Sequence, residues 1–158
     1  MTDATHAAAR ASSLPAKVLL QVRAWLEAVP YSILAVPLRF GLAWIFWSSA
    51  QVKLLNWERA VQQFADEFQV PLLPPDVAAS LTLAIEIACP VLLVIGLLTR
   101  LAVTVLLGMT AVIQIFVFPE AWPTHLQWTA MMLVLLCRGA GVFSADHFLW
   151  RWLQPKLG

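Results

Sequence analysis

Four apolar stretches, each broken by one or two ionisable or amide side chains, govern what this chain can become. They run over residues 33–52, 77–98, 101–118 and 124–137. Two of them are about 20 residues long, enough to cross a bilayer as helix at about 1.5 Å per residue. Inside them lie Arg39, Glu86, Gln114 and His125, with Lys53, Arg100 and Arg138 at their ends. An ionised side chain in hydrocarbon costs several kcal/mol, so these residues are expected to face one another, water or a ligand rather than lipid. The pattern predicts an all-α fold: an integral-membrane four-helix bundle with a polar interior seam and short interfacial helices.

Composition sets the class and removes several functions. Of the 158 residues, 61% are hydrophobic and 12% charged, far from the mix of a soluble domain. With four spans in 158 residues, no separate soluble domain is expected. The net charge of +1 and the lack of a long basic run argue against nucleic-acid binding. Cys89 and Cys137 lie in different spans without CxxC spacing, so two small buried side chains are favoured over a redox pair. His6 lies in the tail and His147 after the last span, leaving His125 near a membrane face. So few ligands support neither a metal site nor a haem.

Three regions follow from the pattern. Residues 1–30 form a polar tail with an amphipathic interfacial helix, 31–140 the four spans, and 141–158 a short C-terminal interfacial helix on the cytoplasmic side. Residues 1–14 are Ala- and Ser-rich, and no small-residue cleavage site follows the first long apolar run near Tyr31. An uncleaved anchor is expected. In 18–29, Val18, Val22, Leu26 and Val29 recur at helical spacing. In 57–68, Trp57, Val61, Phe64 and Phe68 form a stripe opposite Glu58, Gln62 and Asp66. Both segments read as helices along the membrane surface, with an ordinary amphipathic packing helix as the alternative; for the second, the two readings are compatible. Pro71, Pro74 and Pro75, then Pro119 and Pro123, mark the breaks. The 14-residue fourth span is short for a bilayer and would tilt little, start deep or thin the membrane. After it, Gly139 and Gly141 allow a sharp turn and Ser144 is placed to cap a final helix.

Lysine and arginine set the orientation. With an even number of spans, Arg10, Lys17, Arg23, Arg100, Arg138, Arg151 and Lys156 fall on the side of both termini. Lys53 and Arg59 fall on the other side, with Glu58, Asp66, Glu67, Asp76 and Glu120. A bacterial inner-membrane, multi-pass protein with both termini cytoplasmic is expected.

Helical spacing puts Arg39, Ala43, Phe46, Ala50 and Lys53 on one face of the first span, and Ala79, Thr82, Glu86, Cys89, Pro90 and Leu93 on one face of the second. Counted from the span ends, Glu86 and Gln114 lie at similar depth and Arg39 reaches toward them. A buried cluster of Arg39, Glu86 and Gln114 is expected, with an outer cluster of Lys53, Glu120 and His125 and a structural pair of Arg100 with Asp146. The buried cluster reads equally as a structural ion pair or as a site for a headgroup, a quinone or a proton relay. Trp44 and Trp47 face lipid or line an apolar slot beside it.

These residues also carry a resemblance. Arg39-Phe40-Gly41 through Lys53-Leu54, Glu86 through Gly96-Leu97-Leu98-Thr99-Arg100, and Gly139-Ala140-Gly141 through Ser144-Ala145-Asp146 resemble, in order, the motifs of the DoxX family of small four-helix membrane proteins. One departure is Ser49 or Ala50, where that family usually has Gly. The family takes its name from a subunit of an archaeal sulfur-oxidising system that passes electrons from thiosulfate to quinone. Bacterial relatives are assigned as membrane oxidoreductase components, some accompanying oxidative-stress or metal-handling partners. The resemblance implies an inner-membrane subunit of a quinone-linked redox system, working with a protein partner or as a homo-oligomer. Quinone is then the expected small molecule, with no cofactor bound directly. It carries over no established catalytic residue. A non-catalytic adaptor, or a small carrier coupled through Glu86, are the alternatives.

Overall fold

In the computed structural model, residues 16–68 and 73–157 are described. The chain divides into two compact units, Met1–Tyr31 and Ser32–Gly158. The tail expected over 1–14, with His6 and Arg10, lies outside the described residues, as does Pro71. In the first unit, one helix (α1) covers residues 16–27. It exposes Leu19, Leu20 and Trp25 as well as the expected Val18, Val22 and Leu26, so apolar side chains surround more of the wheel than one stripe. Arg23 and Glu27, one turn apart, form an exposed ion pair at 2.8 Å.

Among the described residues of the second unit every regular element is helical. They are α2 (Tyr31–Leu55), α3 (Trp57–Gln63), a π-helical turn (Phe64–Phe68), α4 (Pro75–Ile95), α5 (Thr99–Phe116), a 3₁₀ turn (Pro119–Ala121), α6 (Trp122–Arg138) and α7 (Ala145–Leu157). Three of these, α2, α4 and α5, are long and apolar enough to cross a membrane. Helix α6 has 17 residues, about 26 Å at helical rise.

Each boundary has a local cause. Pro75 opens α4 at a position where its missing N–H costs nothing. Gly96 stops α4 at Ile95, short of the expected Leu98, by taking the left-handed conformation (φ +72°). Its N–H bonds to Leu92 O and that of Leu97 does the same at 2.9 Å, closing the orphan carbonyls of the last turn. Gly96 could not be another residue: an added Cβ would meet Ser144 Cβ at 2.6 Å. Asn56 caps α3, its Oδ1 accepting from Arg59 N at 3.2 Å.

The interior faces follow the expected stripes. Arg39, Ala43, Phe46 and Ala50 of α2 are buried, as are Ala79, Glu86, Cys89, Pro90 and Leu93 of α4. Alanines on these faces let backbones approach closely, the usual device where lipid removes the hydrophobic drive for helix association. Outward faces carry large apolar groups, among them Trp44, Leu101, Ile115 and Leu126, all more than half exposed. A surface this apolar suits lipid rather than water.

The stripe of α3 and the π turn packs onto the long helices. Val61, Phe64 and Phe68 gather with Ala78 and Ala79 of α4, and Phe68 meets Phe118 edge-on at 5.4 Å between centroids. Trp57 of the same stripe stays exposed.

Candidate functional site

The seam contains Glu86, but with different partners from those its depth suggests. Lys53 Nζ donates to Glu86 Oε1 at 2.9 Å and Oε2 at 2.8 Å and to Ser49 Oγ at 3.0 Å. Ser49 Oγ in turn donates to Glu86 Oε1 at 3.0 Å. The Lys53 and Glu86 side chains are only 14% and 4% exposed, so this is a desolvated ion pair held by one shared hydroxyl. Ser49 and Lys53 stand one turn apart on α2, which turns both toward α4. Ser49 is one of the two residues, with Ala50, at the place where a glycine was expected, and its hydroxyl is the part of the site that sequence reasoning missed.

Arg39 lies elsewhere. Its Nη1 donates to the carbonyls of Ala140 at 3.0 Å and Phe143 at 2.8 Å, and its Nη2 to Val94 O at 3.3 Å. The expected Arg39–Glu86–Gln114 cluster is therefore replaced by three separate contacts. The reason is register. Val94 is level with Arg39 while Ser49 is level with Glu86, and eight residues of α4, about 12 Å of rise, separate Val94 from Glu86.

Gln114 sits near the end of α5. Its Nε2 donates to Pro119 O at 2.8 Å, and its Oε1 lies 2.7 Å from His125 Nδ1. His125 is buried, with its ring 5.2 Å from that of Trp128. The expected outer cluster does not assemble by hydrogen bonds: Lys53 is spent on Glu86, His125 on Gln114, and Glu120 is exposed in the 3₁₀ turn.

The expected Arg100–Asp146 pair is also replaced. Asp146 accepts from Leu98 N at 2.7 Å and Thr99 N at 2.9 Å, capping α5 where unpaired N–H groups and the helix dipole favour an anion. Arg100 Nη2 donates to Cys137 O at 3.4 Å, near the end of α6. Ser144 caps α7 as expected, accepting from His147 N at 3.3 Å. Together these contacts and Arg39 tie the α4–α5 and α6–α7 turns into one polar joint.

A cavity of about 450 Å³ opens beside the ion pair. Its wall is apolar (Ile45, Phe46, Phe64, Phe68, Val112) except for Ser49, Lys53, Glu86, His125 and two threonines. Lys53 and His125, expected together outside, thus meet Glu86 across this space. Lys53 also lines a polar surface pocket of about 620 Å³ with Asn56, Arg59, Gln63, Asp66 and Glu67. Trp44 and Trp47 face outward and, with Phe40 and Pro90, border an apolar groove of about 360 Å³. Cys89 and Cys137 are free thiols, the first buried and the second exposed.

The family model described as DoxX matches residues 34–119, more than half of the chain. The chain belongs to the DoxX family. An uncharacterized protein of Haemophilus influenzae is 32% identical over 124 residues, covering 71% of this chain and 80% of that protein. No solved structure matches. With its apolar helices, this DoxX chain is a membrane protein. The DoxX match takes in Arg39, Ser49, Lys53, Glu86 and Gln114 but ends before His125 and the joint residues Ala140–Asp146.

Proposed function

We propose that the chain is an inner-membrane subunit of a quinone-linked redox system, crossing the bilayer four times with both termini cytoplasmic. Helix α6 is the fourth span in this reading. One observation carries it: an apolar cavity of about 450 Å³, within the range of small-molecule sites, whose wall holds a desolvated ammonium–carboxylate pair. An apolar ring would fill the space, and a carbonyl oxygen could accept from the Lys53 ammonium in place of Ser49 Oγ, the one neutral acceptor among its three present partners. Quinone takes up two electrons and two protons on becoming quinol. In this reading a protein partner exchanges the electrons, while Lys53 and Glu86 bind the ring oxygen and exchange its protons.

The test uses purified protein in nanodiscs titrated with a decyl-tailed benzoquinone and its quinol, followed by tryptophan fluorescence. Saturable binding that is weakened by filling the cavity with Ser49→Leu is the expected result. No binding of either form, with no effect of either on the protein isolated with its native-membrane partners, would overturn the reading.

A further inference from the structure

The tautomer that a neutral His125 ring adopts follows from its neighbours. Pro119 O can only accept, so the end of the Gln114 amide facing it at 2.8 Å must be the NH₂; a flipped amide would set oxygen against oxygen. The amide oxygen then faces His125 Nδ1 at 2.7 Å. Since that oxygen is an acceptor, Nδ1 carries the hydrogen, and a neutral imidazole has one N–H. Nε2 is left as a bare acceptor. Gln114 is thus a positioning residue that holds one tautomer.

His125 lines the same cavity as Lys53 and Glu86. Besides the Glu86 carboxylate and the hydroxyls of Ser49, Thr82 and Thr104, that wall therefore offers a cation that donates, at Lys53, and a lone pair that accepts, at His125. We propose that the cavity selects the hydroxyl-bearing, reduced form of its ligand. A quinol can give an O–H to His125 Nε2 while its other oxygen takes the place of Ser49 Oγ as an acceptor from Lys53. A quinone has two acceptor oxygens and would set one of them against the bare nitrogen. This rests on the cavity being a quinone site, and it adds which redox state that site prefers. One hydrogen bond lost and one acceptor left facing another correspond to a preference on the order of tenfold.

The experiment compares anaerobic titrations of the protein in nanodiscs with decyl-tailed quinol and with the matching quinone, alongside imidazole nitrogen NMR of His125. The expected results are a protonated Nδ1 in the wild type and quinol affinity about tenfold above that for quinone. In Gln114→Leu the tautomers should mix and the preference should shrink. Equal affinities in the wild type, or a protonated Nε2, would overturn the selectivity while leaving a quinone site standing. Binding of neither form would overturn both. The wild-type spectrum and titrations decide the matter even if Gln114→Leu does not fold.

Discussion

At Lys53 one ammonium spends its donors on three oxygens, two from Glu86 and one from Ser49. Removing one partner leaves a buried charge alone, which typically costs about 3–5 kcal/mol. Glu86→Ala is therefore expected to lower the melting temperature in detergent sharply, and Glu86→Gln less, because an amide oxygen still accepts from Lys53. The double variant Lys53→Met/Glu86→Leu should recover most of the loss, since replacing a buried pair by apolar groups is often neutral or better. A double variant as unstable as Glu86→Ala would refute a simple pair. The face carrying Lys53 and the face carrying Glu86 were both legible from 3.6-residue spacing. Their pairing was not, because it depends on how α2 and α4 slide past each other, and no single-helix pattern encodes that offset. Asp146 illustrates the same limit. Opposite charge suggested Arg100 as its partner, but the bare N–H groups of Leu98 and Thr99 compete better for a carboxylate at a helix start. Asp146→Ala should cost about 2 kcal/mol, read as a fall in melting temperature, with Arg100→Ala costing less.

Among the elements, α2, α4 and α5 were legible as helices able to cross a membrane because length and hydropathy are local properties. Their ends were less so. Composition carried the second apolar run to Leu98, whereas the left-handed Gly96 ends the helix at Ile95. The segment after Asn56 shows a different gap. Its apolar stripe was visible, but the shift from α-helix to π-helix at Phe64–Phe68 has no periodic signal, as it keeps Phe64 and Phe68 one turn apart on the same side. Short and acidic, α3 with its π turn is expected to lie along the surface rather than cross it. Gln62, exposed on that face, should as Gln62→Cys react with a membrane-impermeant maleimide from the outside of intact spheroplasts. Labelling only from inside-out vesicles would contradict the proposed arrangement.

Across the whole molecule, the proposed topology places Arg100, Arg138 and Arg151 on the cytoplasmic side and Lys53 and Arg59 on the other. A reporter fused after Gly158 should be active if it needs the cytoplasm and silent if it needs the periplasm; the opposite result would invert the topology. The joint that gathers Arg39, Gly96, Ser144 and Asp146 also imposes an order in time. The ribosome makes Arg39 long before its carbonyl partners, Ala140 and Phe143, which lie 101 and 104 positions later in the chain. Helix α5 likewise waits for Asp146, more than 40 positions downstream of the N–H groups it caps. These contacts cannot close during insertion of the earlier helices, so the joint acts as a clasp fastened only once synthesis has passed Asp146. Nascent chains stalled after Arg138 should be inserted yet remain open to protease at the α4–α5 turn. Chains extended past Asp146 should become resistant there, which would make the emergence of that segment the signal that the assembly is locked.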